Sequence, residues 1–203
     1  MSPVTPPHTI RLPEPRFDGE VSVEHALQMR RSVRSYTNDP LNISDISQIL
    51  WSAQGITSPR GFRTAPSAGA LYPLELYVVA GNIPSLPPAI YRYKPDEHSL
   101  LKIVSGDRRP ELSRAALRQS AIRKAPAILL FCAVYERMTG KYSQRGIRYV
   151  HMEVGHAAQN ACLQAIALGL NTVVIGAFRD AEVKKIAALP AEEQPQYFVP
   201  IGR

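Results

Sequence analysis

"AILLFCAV", residues Ala127–Val134, is a run of eight apolar residues without a polar interruption. A run that lacks the alternation of a half-exposed strand is typical of a strand that is buried on both faces. It is also far shorter than the roughly 20 residues of a membrane-spanning helix. The sequence therefore predicts a central strand here, in a sheet that is flanked by helices.

Further strands and helices are predicted on both sides of this strand. Strands are predicted at Leu74–Ala80, in a hairpin of Ile90–Tyr93 with Leu100–Val104, at Thr172–Ile175 and at Tyr197–Ile201. Helices are predicted at Val23–Arg31, at Asp45–Gln54 with Ser44 as N-cap, at Pro110–Gln119, at Tyr142–Leu170 with interruptions at Gly146 and Gly155, and at Asp180–Leu189 with Asp180 as cap. These elements predict an α+β fold, with a sheet that has local antiparallel pairing and with one long helical region.

The composition is that of one soluble globular domain. Of 203 residues, 45% are hydrophobic and 20% are charged. The net charge is +7, but the basic residues are scattered and do not alternate with aromatic ones, so we predict no nucleic-acid partner. Cys132 and Cys162 lie in apolar stretches and no signal peptide or membrane span is evident. We therefore predict a cytoplasmic protein without a membrane partner.

The N-terminal residues differ from the rest of the chain in their proline content. The prolines are Pro3, Pro6, Pro7, Pro13 and Pro15. Because proline excludes a regular helix, we predict an extended arm over residues 1–22 and a folded domain over residues 23–203.

Three arginines and a hydroxyl lie together at Arg30-Arg31-Ser32-Val33-Arg34. Guanidinium groups bind phosphate oxygens bidentately, and Ser32 adds a further donor. The carbonyls at the end of a helix carry partial negative charge, so an anion bound here would depend on the cationic side chains. Taken by itself, the pentapeptide favours a solvated basic surface over a phosphate site.

The predicted long helix carries small and apolar residues at helical spacing. They are Val150, Val154, Ala157, Ala158, Ala161, Ala165 and Leu168. The stripe fits either the core of one chain or a dimer interface. His151, Glu153 and His156 lack the spacing of zinc or di-iron motifs, so we predict structural histidines and no metal site.

Several common nucleotide and hydrolase motifs are missing. The sequence has no phosphate-binding loop, no glycine motif of a Rossmann fold and no nucleophile elbow. These absences disfavour ATP binding, Rossmann-type NAD binding and esterase chemistry, and they leave Ser67 without the context of a nucleophile.

The order of the short motifs resembles the nitroreductase-like flavoproteins, in particular the branch of SagB-type, azoline-oxidising dehydrogenases. The motifs are RRSVR, SQILWSAQG, PSAGALYP, KY, RGIRYVHMEVGHAAQN, LGL, IGAF and PIG, and they cover nearly the whole chain after Val23. Each motif is short, so the resemblance depends on their order and spacing. It implies an α+β, nitroreductase-like fold, with a central, mostly antiparallel sheet flanked by helices and a long central helix. It also implies a nitroreductase-like FMN-binding domain over residues 23–203.

The resemblance implies an FMN site built from several segments. Arg30, Arg31, Ser32 and Arg34 match the segment that contacts the flavin phosphate and the polar edge of the ring. Pro66, Ser67, Ala68 and Gly69 match the segment that passes the flavin, commonly from the other subunit of a homodimer. Gly176 and Ala177 match the position whose backbone N–H lies near flavin N5, the atom that accepts or donates hydride.

Lys141 and Tyr142 match a Lys-Tyr pair that is implicated in catalysis in the azoline-oxidising branch. If desolvated, the lysine could act as a base that removes a proton while hydride leaves to N5. Placed at the start of a helix and exposed, the pair could equally be inert.

Two features depart from the family pattern. Typical members continue into a basic segment that completes the phosphate site, whereas Arg203 is the one candidate here. Gly69 stands where many nitroreductases carry an asparagine, which puts nitroaromatic reduction in doubt.

The resemblance leaves three functions open. We expect an FMN-dependent homodimer, with FMN at the interface, that transfers hydride through N5 and oxidises an azoline or related organic donor, either a small molecule or a peptide. The first alternative is a nitro or quinone reductase that uses NAD(P)H as electron donor. The second is a flavin-binding or interaction module without turnover.

Overall fold

Seven strands form one sheet in the computed structural model, which describes residues 9–203. The strands are β1 Thr9–Arg11, β2 Leu74–Ala80, β3 Ala89–Lys94, β4 Ser99–Ser105, β5 Ala127–Val134, β6 Asn171–Thr172 and β7 Glu193–Gly202. Their order across the sheet is β1-β4-β3-β2-β5-β7-β6, and every neighbouring pair is antiparallel. The prediction of a central, mostly antiparallel sheet is therefore confirmed.

Helices cover both faces of this sheet. They are α1 Val23–Met29, α2 Ile43–Gln54, α3 Arg109–Ala115, α4 Ser120–Lys124, α5 Glu136–Tyr142, α6 Arg145–Ala167 and α7 Asp180–Ile186. The long helix α6 packs against α1, α2 and α5. The predicted α+β class with one long helix is confirmed.

Strand β5 lies near the centre of the sheet between β2 and β7, and all of its residues are buried. Its side chains alternate between two cores. Leu129 and Phe131 enter the core with α2 and α6, whereas Ile128 and Leu130 enter the core with α3, α4 and α7. Because helices cover both faces, the strand needs no polar alternation, as the sequence predicted.

Two helix caps differ from their predictions. Helix α2 is capped by Asn42 rather than by Ser44, and the Asn42 N–H donates to the Asp45 carboxylate at 3.3 Å. Helix α7 is capped by Arg179, so Asp180 is its first residue and not its cap. Asparagine, serine and aspartate all favour the N-cap position, so the pattern alone does not choose between neighbours.

The predicted interruptions of the long helix are wrong. Gly146 and Gly155 both lie inside α6, and the break falls before Arg145, where α5 ends and α6 begins. A Cβ atom on Gly146 would lie 2.7 Å from the carbonyl carbon of Met138, so this glycine lets the two helices cross closely. Tertiary packing of this kind outweighs the cost of about 1 kcal/mol for a glycine inside a helix.

Several other bounds also shift. The helix predicted from Pro110 ends at Ala115, and Leu117 and Arg118 follow it with positive φ angles. The strand predicted at Thr172–Ile175 is shorter. It consists of β6 and a single bridge from Ile175 to Phe198.

The small-residue stripe of α6 packs inside the chain. Val150, Val154, Ala157 and Ala161 are at most 2% exposed and lie in the same core as α2. From Val150 to Ala165, the residues of the stripe are buried in the core of one chain, so their interpretation as a dimer interface is wrong, whereas Leu168 is half-buried. The opposite side of α6 exposes Met152.

The N-terminal segment adds β1 to the edge of the sheet at β4. The Leu12 N–H donates to the His98 carbonyl at 3.0 Å, and the Ser47 hydroxyl donates to the Pro13 carbonyl at 2.5 Å. These bonds attach the chain before α1 to α2 and to the β3–β4 hairpin. Residues 1–8 of the predicted arm lie outside the described residues.

Candidate active site

The arginine cluster lies beside the edge of the sheet formed by β6 and β7. Ser32 forms a parallel bridge with Thr172, and the Val33 N–H donates to the Thr172 carbonyl at 2.9 Å. Four residues after Val33, the Thr37 N–H donates to the Arg203 carbonyl at 2.8 Å. The fold therefore brings Arg203 to the segment that contains the cluster.

The three arginines of the cluster have different surroundings. Arg31 donates to the carbonyls of Gln28 and Arg30, both at 2.8 Å, and so caps the end of α1. Arg34 is exposed and makes one long bond of 3.4 Å to the Ser32 carbonyl. Among residues 9–203, none of the three forms a salt bridge with a carboxylate. Arg30, which is half-buried, and Arg34 therefore keep guanidinium donors for an anion.

Arg203 is held by a carboxylate. Its guanidinium lies 3.5 Å from Asp45, a residue of the first turn of α2. A salt bridge of this length between partly exposed groups contributes little to stability, so an anion at the cluster could compete for Arg203.

Gly176 and Ala177 follow Thr172 on the same segment. Both are exposed, and within the described part of the chain their N–H groups have no hydrogen-bond acceptor. The Ala177 carbonyl is held by the Gln119 side chain at 3.2 Å. The segment therefore presents unpaired backbone donors along the same edge of the sheet, four and five residues beyond the bridge partner of Ser32.

The Pro66–Gly69 segment lies elsewhere, at the end of α5. A Cβ atom on Gly69 would lie 2.7 Å from the Tyr142 hydroxyl and 3.0 Å from Lys141 Nζ. Gly69 has φ +64°, a left-handed conformation that glycine adopts without steric cost. The structure thus brings the predicted flavin-passing segment together with the predicted catalytic pair.

Lys141 and Tyr142 end α5, so their expected position at a helix start is wrong. Lys141 is exposed, and its Nζ lies 5.5 Å from the centre of the Tyr142 ring. Tyr142 packs edge-on against Tyr149 of α6 with ring centres 5.1 Å apart. The tyrosine is therefore fixed by α6, while the lysine amine is free to meet a ligand.

The two groups of candidate residues face different parts of α6. The Lys141–Gly69 group lies near Tyr149 and Glu153, whereas Thr172, the bridge partner of Ser32, lies near Cys162. At a rise of 1.5 Å per residue, Glu153 and Cys162 are about 13 Å apart along the helix. One chain therefore does not bring the two groups into direct contact.

Glu153 is a buried acid to which the sequence pattern assigned no role beyond the rejected metal cluster. It is 2% exposed, and neither carboxylate oxygen has a hydrogen-bond partner among the described residues. Burial raises the pKa of Glu153 to about 7, although the Ser67 hydroxyl and the Arg63 guanidinium oppose that rise. The sequence could have predicted the burial of Glu153, because this residue lies three positions after Val150 and four before Ala157, on the same face of the helix.

With this geometry established, the comparison with known proteins decides the family. A model of the nitroreductase family matches residues 27–203. The chain belongs to the nitroreductase family. It is an oxidoreductase of this family, as the sequence motifs predicted.

Three relatives of this nitroreductase-family chain differ in similarity and in length. It is 47% identical over 184 residues to a nitroreductase-like protein from Methanocaldococcus jannaschii, covering 91% of this chain and 92% of that protein. It is 30% identical over 152 residues to the microcin B17-processing protein McbC of Escherichia coli, covering 71% and 56%. It is 25% identical over 191 residues to the FMN reductase (NAD(P)H) of Bacillus subtilis, covering 87% and 61%. The chain thus spans little more than half of the last two proteins.

Solved structures of the family share the fold. A nitroreductase-like protein from Ralstonia eutropha superposes with a TM-score of 0.83 at 29% identity, covering 96% of this chain and 89% of that one. A chain of the Escherichia coli microcin synthetase McbBCD complex, with truncated pro-MccB17 bound, gives 0.76 at 26% identity, covering 91% and 73%. The predicted nitroreductase-like fold is confirmed.

Neither a candidate metal site nor a membrane-spanning helix is found in the part of this nitroreductase-family chain that the structure describes. No group of three or more His, Cys, Asp or Glu side chains there could hold a metal ion. His151 instead shares a hydrogen bond of 2.8 Å with the Tyr135 hydroxyl. Between residues 9 and 203, no helix is long and apolar enough to cross a membrane.

The raised pKa of Glu153 predicts that stability falls as the pH rises. The folded chain holds the proton more tightly than the unfolded chain, so this contribution is full below pH 4.5 and is lost as the pH rises through about 7. Between pH 5 and pH 8, we expect the wild type to lose roughly 2 kcal/mol of unfolding free energy relative to Glu153→Gln. Urea denaturation of both proteins across this range measures the difference, and a constant difference would contradict the prediction.

Proposed function

We propose that the protein is an FMN-dependent oxidoreductase that transfers hydride through flavin N5. The observation that carries the proposal is that the arginine cluster, Arg203 and the unpaired N–H groups of Gly176 and Ala177 lie along one edge of the sheet. The arginines would hold the flavin phosphate, and the backbone donors would lie near N5, as the family resemblance implies. Residues 23–203 would form the flavin-binding domain.

The chemistry of these donors fits FMN. A phosphate monoester carries up to two negative charges and accepts several hydrogen bonds, and Arg30, Arg34 and Ser32 have donors that no carboxylate occupies within residues 9–203. Arg31 would contribute its charge while its guanidinium caps α1. Bound FMN would supply the two-electron acceptor, and the chain would supply binding, orientation and proton transfer.

We infer that the protein acts as a dehydrogenase of the SagB type. The similarity to McbC and the contact of Gly69 with Lys141 and Tyr142 support this branch. An azoline ring becomes aromatic when it loses a hydride from one carbon and a proton from its neighbour. The hydride would go to flavin N5, and the proton to the Lys141 amine.

A reductase remains the enzymatic alternative. The similarity to the FMN reductase of Bacillus subtilis favours NAD(P)H as electron donor, with a nitro compound or quinone as acceptor. A flavin-binding or interaction module without turnover is the alternative outside catalysis.

The two thiols, Cys132 and Cys162, are free and buried, which suits a reducing cytoplasm, and we propose that location.

We further propose that two copies of the chain complete the site, as a homodimer with FMN at the interface. The Lys141–Gly69 group and the arginine cluster are separated along α6, so a partner would supply the Pro66–Gly69 segment to the flavin of the first chain. Exposed apolar side chains of α1 and α6, Val23, Leu27 and Met152, suit such an interface. A small molecule or a peptide would be the substrate.

The flavin itself provides the test of this function. We expect the purified protein to be yellow, or to become yellow with added FMN, and to release FMN on denaturation. A colourless protein that takes up no FMN would overturn the proposal. Anaerobic reduction by NAD(P)H would favour the reductase, and reduction by an azoline-bearing peptide would favour the dehydrogenase.

Replacing Arg34 with Ala should weaken FMN binding without unfolding the protein. Arg34 is exposed and makes one long bond to a residue of the described range 9–203, so its loss removes a phosphate contact worth about 1.5 to 3 kcal/mol. We expect the Kd for FMN to rise by roughly 10- to 100-fold in a fluorescence titration. Arg114→Ala, which removes an exposed arginine of α3, should leave the Kd unchanged. Equal FMN affinity of wild type and Arg34→Ala would remove Arg34 from the site.

A further inference from the structure

We propose that Arg137 is a positioning residue of the active site. Its guanidinium links the Pro66–Pro73 segment to helix α5, and this link keeps the segment against the Lys141–Tyr142 pair. The role of Lys141 in this inference rests on the proposed function. The link itself rests on hydrogen bonds and close contacts between described residues.

The Arg137 guanidinium binds two acceptors on the chain that leads into β2. One of its terminal nitrogens donates to the Tyr72 carbonyl at 2.9 Å, and the other donates to the Glu75 carboxylate at 2.5 Å. Glu75 also pairs with Arg92 at 2.9 Å, so the carboxylate that orients Arg137 is itself held in place. Among residues 9–203, no other donor reaches the Tyr72 carbonyl.

The segment that Arg137 holds has a strained backbone. Ala70 and Tyr72 have φ angles of +53° and +46°, a conformation that is unfavourable for residues with a Cβ atom. Inside the turn, the Ala70 N–H donates to the Ser67 carbonyl at 3.0 Å and the Tyr72 N–H donates to the Ser67 hydroxyl oxygen at 2.9 Å. Such a conformation persists only where the surroundings fix it, and Arg137 supplies a contact of this kind from α5.

The same segment meets α5 a second time, at the predicted catalytic pair. The Tyr142 hydroxyl and Lys141 Nζ fill the space beside the Gly69 Cα. Arg137 and Lys141 are four residues apart, so they project from the same face of α5, about 6 Å apart along its axis. The segment therefore runs along this face with Tyr72 at the first turn of the helix and Gly69 at the last. Without the contact at Tyr72, nothing in α5 fixes the register that puts Gly69 beside the amine.

The contribution of Arg137 to the stability of the fold is small. Its side chain is 38% exposed, and ion pairs at the surface are screened and weak. Helix α5 is held instead by the buried side chain of Met138 and by the close crossing at Gly146. Lysine would not replace arginine here, because a planar guanidinium binds a carbonyl and a carboxylate at once and an ammonium does not present such a pair of donors. We therefore expect substitution to disturb the turn more than the fold.

Amide hydrogen exchange of the whole chain tests the link without flavin and without turnover. In Arg137→Met, we expect the Ala70 and Tyr72 amides to exchange about 10-fold faster or more, because the turn opens more often. The amides of β5 should keep their protection, and the melting temperature should fall by no more than about 4 °C. Equal exchange of both amides in the wild type and Arg137→Met would overturn the proposal. An equal loss of protection in β5 would show a global effect and would also contradict it.

Two further variants separate the guanidinium from charge. Arg11→Met breaks an exposed arginine–carboxylate pair of 3.2 Å in β1 and should leave the exchange of the Ala70 and Tyr72 amides unchanged. Arg137→Lys keeps a charge that can pair with Glu75, and it also serves if Arg137→Met does not fold. We expect the two amides to lose protection in Arg137→Lys while the melting temperature stays at the wild-type value. Full protection in Arg137→Lys would contradict the role of the guanidinium.

Turnover of the flavin-loaded enzyme tests whether the link acts through Lys141. We expect Arg137→Met to lower kcat for an azoline-bearing peptide by about 10- to 100-fold with a smaller change in KM, because the amine is misplaced rather than removed. In a Lys141→Met background, Arg137→Met should cause little further loss, since both changes act on the same amine. An unchanged kcat in Arg137→Met, or equal losses in both backgrounds, would overturn the action through Lys141. If the protein takes up no FMN, the proposed function fails, while the exchange rates still decide the role of Arg137.

Discussion

Lys141→Met is expected to slow the reduction of bound flavin by an azoline-bearing peptide by about 100- to 10,000-fold, the range that removal of a general base produces. The variant keeps most of the length of the side chain and loses the amine. Because Lys141 is exposed and forms no salt bridge in the described part of the chain, the melting temperature should be unchanged. Anaerobic stopped-flow absorbance of the flavin measures the rate.

Controls for Lys141 separate chemistry from charge. Lys185→Met removes an exposed amine from α7, far from the pair in sequence, and should leave the rate unchanged. Dithionite should reduce the bound flavin at the same rate in the wild type, Lys141→Met and Lys185→Met, because this reduction needs no base. If Lys141→Met reacts with the peptide as fast as the wild type, the amine is not the base. Because Lys141 is exposed in this structure, water must be excluded from it by substrate, flavin or a second subunit before it can act.

Gly146→Ala is expected to destabilise the protein by roughly 2 kcal/mol or more, because the added methyl group would meet backbone atoms. Its Cβ would lie 2.7 Å from the carbonyl carbon of Met138 and 2.9 Å from the Thr139 nitrogen, and backbone cannot move aside as a side chain can. Helices α5 and α6 would have to separate, which would displace Tyr142 from Tyr149. For a chain of this length we expect the melting temperature to fall by roughly 4 to 8 °C, measured by circular dichroism.

A matched glycine in α5 serves as the control for Gly146. Among residues 9–203, and apart from its chain neighbours and the backbone of its own helix, no atom lies within 4 Å of a Cβ built on Gly140. Gly140→Ala should therefore stabilise the protein by about 0.5 to 1 kcal/mol through helix propensity. The two substitutions are chemically identical and lie on the two helices that cross. Equal melting temperatures of the two variants would show that the close crossing of α5 and α6 does not limit stability.

The predictable parts of this fold are those in which one local pattern is decisive. The bounds predicted for the strands at Leu74–Ala80 and Ala127–Val134 are those observed, because β-branched and other apolar residues dominate both segments, the second without any polar interruption. Helix α5 was missed, since only Met138 of its residues is buried and Gly140 weakens the helical pattern. An exposed helix held by one buried side chain and a close crossing has no strong periodicity to detect.

The candidate site was predictable as a set of segments but not as an arrangement. The motifs around Arg30, Gly69, Lys141 and Gly176 were visible in the sequence, because each is a compact pattern. That Gly69 lies against Lys141, while the arginines lie beside Thr172, depends on how α6 and the sheet pack. Contacts between residues far apart in sequence are set by the whole fold, which no short pattern encodes.

The position of β5 between β2 and β7 has a consequence for the order in which the chain can fold. During synthesis β2 emerges before β5, but β7 follows only after α5, α6, β6 and α7 have been made. Until then, one side of the most apolar strand has its backbone N–H and C=O groups unpaired, and such an edge is prone to pair with other chains. We therefore expect nascent chains that end before Glu193 to depend on chaperones, and truncated products to aggregate rather than to remain soluble.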